Sequence, residues 1–214
     1  PSQLGELQGL FEDRVDLMLD HHENGIRYAD SYIKSDYAAS GEITFEIAEK
    51  LVSLGEIKEI PRDVYDLVYA ALSSDTGCFK YSNVSAHTHM CAARLLAAGI
   101  DAAEINHRLF DCKSEQMLAA ESAGFQNMKF YNNRKIAAVI FPYELKKELG
   151  VEDEHLETLV DVARAVDGVK IAMSVRQSTA YRSFRISLRS SCGFDVSNVA
   201  KHFGGGGHTT AAAC

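Results

Sequence analysis

The sequence predicts an α/β protein in two parts, a parallel-sheet, helix-rich first domain and a smaller mixed α+β second domain. Three observations predict it. Residues 15 to 112 hold one short apolar run followed by segments whose apolar side chains recur at helical spacing. Strand-like runs become frequent from residue 128. The charge also divides: residues 1 to 168 carry 16 basic and 29 acidic side chains, a net of −13, whereas residues 169 to 214 carry six and one, a net of +5.

Val15 to Leu19 is an apolar run that stops at Asp20-His21-His22 and Glu23-Asn24-Gly25, which reads as a buried strand ending in a loop. From Ala39 to Leu54, Ile43, Ile47, Ala48 and Leu51 mark a helix with Ser40 as cap and Gly55 as stop. Pro61 opens another, buried through Val64, Leu67, Val68 and Ala71 and ending at Ser74-Asp75-Thr76-Gly77. Ser85 to Ala98, Asp101 to Phe110 and Ser114 to Gly124 read as further helices. Strands are expected at 129–131, 136–143, 169–175 and 181–188, and helices at 144–149, 153–166 and 195–203. The expected division is 1–115 for the first domain, 116–127 for a linker and 128–214 for the second domain.

With 46% apolar and 24% charged residues, the chain is neither disordered, collagenous nor a coiled coil throughout. No apolar run approaches the ~18 residues of a membrane helix, and no basic-then-apolar leader opens the sequence. Five scattered cysteines, Cys78, Cys91, Cys112, Cys192 and Cys214, never form a Cys-x-x-Cys pair, so a reducing, cytoplasmic setting is expected. The chain starts at Pro1 without Met and stops at Cys214, and both natural ends are expected to lie beyond it. A net charge of −8 speaks against a long nucleic acid, but the basic segment (Lys170, Arg176, Arg182, Arg185, Arg189, Lys201) suits a small anion.

Four constellations can carry chemistry. Asp20-His21-His22, at the carboxyl end of a strand, is either a polar loop or a metal site in which His21 ligates, Asp20 orients rings and His22 faces substrate. Asp75, leaving a helix beside Gly77, is either a further metal ligand or a local turn acceptor. In Lys201 to Thr210, the run Gly204 to Gly207 followed by His208 lets backbone N–H groups approach an anion, with Thr209 to Ala213 starting a helix whose N-terminus favours phosphate. A flexible connector is the plainer alternative. Finally, alternation places Arg185, Ser187 and Arg189 on one strand face, where Arg189 can grip phosphate bidentately. For Arg176 and Arg182 a solvated face is expected, His87 and His89 are expected at the surface, and His107 and His155 are isolated.

Leu19-Asp20-His21-His22, Ala39-Ser40-Gly41-Glu42, Ser74-Asp75-Thr76-Gly77-Cys78-Phe79-Lys80-Tyr81-Ser82, Ser187-Leu188-Arg189-Ser190 and Gly204 to His208 follow the order seen in DHH phosphoesterases with the DHH-associated C-terminal domain. The sequence most resembles the bacterial nanoRNase and pAp phosphatase branch. That resemblance implies a cytosolic phosphoesterase with two divalent metal ions, manganese by expectation, and an active site in the cleft between the domains. Its substrates would be short oligonucleotides or adenosine 3′,5′-bisphosphate. By motif, His21 and Asp75 would bind metal, Asp20 and His22 would serve catalysis, and Arg189, Gly205, Gly206, Gly207 and His208 would hold substrate. A homodimer is common in such families. The family's earlier segment, with a His and two Asp ligands, is not among these 214 residues. Cyclic- or linear-dinucleotide hydrolysis, or a non-catalytic nucleic-acid-binding module, are the rival readings.

Overall fold

The computed structural model describes residues 7–11, 14–22, 27–178, 183–191 and 193–214. Glu23-Asn24-Gly25, Tyr181, Arg182 and Cys192 lie outside these residues. Contacts divide the chain into two compact units, Pro1–Cys112 and Lys113–Cys214.

In the first unit, helix α1 (Gln8–Phe11) precedes strand β1 (Leu17–Asp20), which pairs in parallel with β2 (Asp30–Ile33), Asp20 lying opposite Ile33. Of β1 only Met18 is buried, while Leu17 is 56% exposed. The expected buried strand is therefore half covered, because the sheet described has just two strands. Helix α2 (Ser40–Leu54) follows extended Ala39, so Ser40 opens the helix and does not cap it. Gly55, at φ 75, ends it with N–H bonds back to the last turn, a left-handed conformation natural to glycine. Pro61 leads into α3 (Arg62–Asp75), with the ring's fixed φ suiting a helix start.

Helix α4 (Ala86–Ala97) starts with a reciprocal capping box: Ser85 Oγ accepts from Thr88 N–H at 3.2 Å and Thr88 Oγ1 from Ser85 N–H at 3.3 Å. The single helix expected over 101–110 is instead α5 (Ala102–Asn106), capped by Asp101, followed by a π-helical turn at His107–Asp111. Asn106 is pinned to α3 by Ser73 and Tyr69, and beyond it Cys112 N–H reaches back to the His107 carbonyl, one residue further than in an α-helix. Phe45, Val68, Leu72, Cys91 and Leu95 form the core of this unit. At Gly41 an added Cβ would lie 3.0 Å from the Ala71 Cβ, so the glycine sets how closely α2 approaches α3.

The second unit begins with α6 (Glu115–Gln126), capped by Ser114, in the span expected to be a linker. The stretch is instead part of the core: Ala120 is fully buried, and a Cβ at Gly124 would meet Leu159 at 2.8 Å. Strands β3 (Met128–Tyr131), β4 (Ile136–Phe141), β5 (Ile171–Gln177), β6 (Phe184–Ser190), β7 (Gly206–His208) and β8 (Ala211–Ala213) form one sheet in the order β3-β4-β5-β6-β8-β7. Only β4 and β5 run parallel, and their crossover carries α7 (Tyr143–Glu148), a 3-10 turn (Asp153–Leu156) and α8 (Leu159–Arg164). The one helix expected over 153–166 is thus broken at Glu157-Thr158. Leu156, Leu159, Val160 and Ala163, all fully buried, keep the helical spacing across the break, which is why the sequence reads as continuous.

Ala137, Val139, Phe141 and Ala172 meet α6 and α8 on one face of the sheet, whereas Leu188 and Ala212 meet Val196 and Ala200 of α9 (Val196–His202) on the other. Phe203, expected inward, is 67% exposed because α9 stops before it. Arg176 is another correction. It is 4% exposed on β5, directly opposite Arg185 of β6, and donates to the Asp153 carbonyl at 3.3 Å. Its strand alternates on the buried face of the sheet, and that places the side chain inside.

Candidate functional site

Asp20 closes β1, and its Oδ1 accepts the backbone N–H groups of His21 at 2.7 Å and His22 at 3.0 Å. The same oxygen lies 2.7 Å from Nδ1 of the His22 ring. Burial works against the charged carboxyl, but the His22 ring and the two N–H groups outweigh it and hold Asp20 below the usual carboxylate range. The tripeptide is a folded turn in which one carboxylate fixes the imidazole two residues on.

His21 points the other way and is buried. Its Nδ1 lies 3.3 Å from the Tyr37 carbonyl, and its Nε2 lies 3.5 Å from Asp75 Oδ2. A carbonyl only accepts, so this bond requires Nδ1–H, and Nε2 is the ring nitrogen that faces Asp75. Asp75 is the last residue of α3. Behind it, Thr76 Oγ1 donates to the Leu72 carbonyl at 2.6 Å and accepts from Phe79 N–H, while Gly77, Cys78 and Phe79 all take positive φ. The Tyr81 ring lies so close to Gly77 that a Cβ would stand 2.1 Å from it. This tight left-handed turn fixes where the helix ends and therefore where Asp75 sits.

An imidazole nitrogen and a carboxylate oxygen 3.5 Å apart are a donor set and a spacing that two atoms bound to one divalent ion at about 2.1 Å each can adopt. The residues present fit a divalent metal.

Beside this pair lies a group that sequence reasoning missed. Glu42 of α2 is fully buried and its Oε2 lies 2.7 Å from His87 Nδ1. His87 Nε2 is 3.3 Å from Glu46 Oε1, which also accepts from the Tyr37 hydroxyl at 2.6 Å. Tyr37 stacks on the His87 ring at 4.4 Å and 21°. The bond to Glu46, then burial, push the Tyr37 hydroxyl well above the usual phenol range. His87, expected at the surface, keeps 32% of its side chain exposed while both ring nitrogens face carboxylates of α2. The signal available was Glu42 and Glu46 at i and i+4 on one helix face, a carboxylate pair that calls for a cationic or donor partner.

In the second unit, Arg189 is half-buried on β6, between Ala172 and Ala211 in register, with Nη1 donating to the Leu188 carbonyl at 3.0 Å. Gly204, at φ 79, terminates α9, and Gly205 N–H bonds the Ala200 carbonyl at 2.9 Å. The helix expected from Thr209 does not form. Gly206–His208 and Ala211–Ala213 are instead the two strands of a hairpin turning at Thr209-Thr210, with Ala213 opposite Ser187 of β6. Five residues cannot nucleate a helix against the backbone bonds that β6 offers, whatever the propensity of alanine. The glycines admit that pairing. A Cβ at Gly205 would lie 2.0 Å from the Ala213 carbonyl, and one at Gly207 2.5 Å from the Ala211 carbonyl, whereas Gly206 has nothing within 4 Å. His208 ends β7 at the sheet edge and is exposed.

Residues 132–214 match the DHHA1 domain family. A Streptococcus mutans protein named probable bifunctional oligoribonuclease and PAP phosphatase NrnA is 26% identical over 197 residues, covering 91% of this chain and 60% of that protein. The bifunctional oligoribonuclease and PAP phosphatase NrnA of Thermus thermophilus is 25% identical over 195 residues, covering 91% and 56%. The chain thus spans about 60% or less of the length of these curated relatives. The crystal structure of an exopolyphosphatase-related protein from Bacteroides fragilis has the same fold, with a TM-score of 0.85 at 22% identity over 99% of this chain and 62% of that one. Residues 132–214 thus match the DHHA1 domain family, and over 91% of its length the chain is similar, at 25–26% identity, to proteins named bifunctional oligoribonuclease and PAP phosphatase.

Proposed function

We propose that the protein carrying this chain is a manganese-dependent phosphoesterase that hydrolyses short oligonucleotides, the 3′-phosphate of adenosine 3′,5′-bisphosphate, or both. The observation that carries the reading is the His21–Asp75 pair, an imidazole nitrogen and a carboxylate oxygen brought to 3.5 Å from strand end and helix end. His21 and Asp75 would hold the metal. When bound, such an ion lowers the pKa of a coordinated water and offsets charge on the phosphoryl oxygens.

The chain's own residues have the remaining tasks. Asp20 holds the His22 ring by its Nδ1, an orientation in which Nε2 would be the nitrogen that meets the phosphate of the scissile ester. Arg189 keeps guanidinium donors beyond the one spent on Leu188 and can grip a phosphate through them. Gly205 leads into the edge strand of Gly206, Gly207 and His208, whose backbone groups and imidazole suit an anionic ligand. A few cations and a narrow backbone edge suit a short nucleotide better than a long polyanion.

The test is hydrolysis of a linear dinucleotide by the full-length protein with manganese, alongside adenosine 3′,5′-bisphosphate and a cyclic dinucleotide. Asp75→Ala is expected to lower turnover on the preferred substrate at least about a hundredfold. Full metal-dependent turnover in that variant would remove the assignment, and equilibrium binding of dinucleotide without turnover in the wild type would replace it with a binding module.

A further inference from the structure

The metal ligand His21 depends on a partner that is itself held by a separate cluster. His21 can present Nε2 to a cation only while Nδ1 keeps its proton, and the acceptor for that proton is the backbone carbonyl of Tyr37 at 3.3 Å. Tyr37 lies between β2 and α2, where local backbone bonds hold only part of its conformation. Tyr37 N–H bonds the Lys34 carbonyl at 3.1 Å, and Lys34 N–H bonds the Asp20 carbonyl at 3.0 Å. The side chain is fixed more firmly. Its hydroxyl donates to Glu46 at 2.6 Å, and its ring lies on the His87 ring, which is in turn held by Glu42 at 2.7 Å and Glu46 at 3.3 Å.

Glu42 is fully buried, and its other oxygen, Oε1, has no partner among the described residues. Leaving a buried carboxylate oxygen unsatisfied is costly, and a hydrophobic side chain at this position would pack α2 against α4 without that cost. What the glutamate supplies instead is a hydrogen bond to His87, which continues to Tyr37 through the stacked rings.

We propose that Tyr37 is a positioning residue for His21, and that Glu42, Glu46 and His87 form the frame that holds its carbonyl against Nδ1. The inference rests on the reading of His21 as a metal ligand. It assigns the glutamate of the Ala39-Ser40-Gly41-Glu42 motif and His87 to ordering the site from behind, with neither touching metal or substrate.

The experiment uses the full-length protein and two readouts: Mn2+ affinity by electron paramagnetic resonance of the free ion, and the 15N shifts of the His21 ring in the metal-free protein. Tyr37→Phe and Glu46→Ala are each expected to weaken Mn2+ about tenfold, the low end of the loss for an orienting partner, and to reduce the Nδ1–H form of His21. Glu46→Gln still accepts from the Tyr37 hydroxyl and is expected to stay within about threefold of wild type. His87→Ala should follow Glu46→Ala; if it does not fold, the other three variants decide the question. Unchanged Mn2+ affinity and unchanged His21 shifts in folded Tyr37→Phe and Glu46→Ala would overturn the proposal, as would a Glu46→Gln as weak as Glu46→Ala. His21→Ala separates the two levels. If it binds Mn2+ like wild type, the ligand reading fails; if it loses the ion while the Tyr37 and Glu46 variants keep it, only the positioning role fails.

Discussion

Around Asp75, the first unit places the atoms of the candidate site by tying side chain to side chain: Asp20 to His22, Asp75 to His21, His87 to Glu42 and Glu46. Around Gly205, the second unit places them by leaving side chains out, so that β7 and β8 approach to distances a Cβ would forbid. The difference teaches which kind of change each site should feel. Deleting atoms should damage the first, and adding them should damage the second.

The sharpest break of that contrast lies in the first unit. His21→Ala removes a buried ring that bridges the Tyr37 carbonyl and Asp75, and is expected to weaken Mn2+ binding by about a hundredfold or more while changing thermal stability far less. Titration of Mn2+ on the variant and calorimetric unfolding check both halves of the statement. A large loss of stability with retained metal affinity would make the ring a core element.

In the second unit, Gly205→Ala and Gly207→Ala should each destabilise by roughly 1–3 kcal/mol, because the new Cβ collides with backbone carbonyls of β8 and Gly207 also sits at φ 136. Gly206→Ala, with open space around it, should cost within about 0.5 kcal/mol. Denaturant unfolding of the three variants gives the comparison directly. Equal costs at all three positions would mean that the glycines matter for chain freedom and not for close approach.

A smaller effect is expected at Arg189. Arg189→Lys keeps the charge but loses the planar fork, and should weaken dinucleotide affinity about tenfold while leaving Mn2+ affinity unchanged. A parallel loss of metal affinity would show the two sites to be energetically coupled.

The helices of the first unit were legible because each carries its own start and stop: Ser85 with Thr88, Pro61, Gly55. The Asp75 turn was legible as a turn, since Gly77 follows a periodic helix, but its closeness to His21 is a tertiary fact that spacing does not encode. The failures share a cause. Thr209 to Ala213 has helical propensity and a strand's partner, and the partner won through the backbone bonds of β6. For Arg176 strand alternation outweighs the preference of a charged residue for solvent; for His87, which shares no helical face with His89, two glutamates from another helix supply partners to a ring that stays partly exposed. The linker expected at 116–127 failed similarly, because Ala120 and Gly124 are small residues that close packing requires, and small residues also read as connector.

The mildest test bears on the helix that leads into the glycines. Asp195 caps α9 by accepting from Ser197 N–H at 2.8 Å, Ser197 Oγ at 2.6 Å and Asn198 Nδ2 at 2.9 Å. The Ser197 bond above all holds its carboxyl below the usual range. A carboxyl whose folded pKa lies below its unfolded value of about 3.8 stabilises fully above that value and loses the contribution as pH falls through the folded one. Asp195→Asn keeps the acceptor oxygen and removes the titration. Above pH 5 the wild type should be slightly the more stable, and below about pH 4 the gap should close. Because Val196 N–H bonds the Thr209 carbonyl, the same pH step should loosen the β7–β8 turn, read as faster amide exchange at Val196 in the wild type but not in the Asn variant. Parallel stability curves for the two proteins from pH 7 to pH 3 would show that the cap acts through geometry alone and that charge has no share in holding the glycine hairpin to its helix.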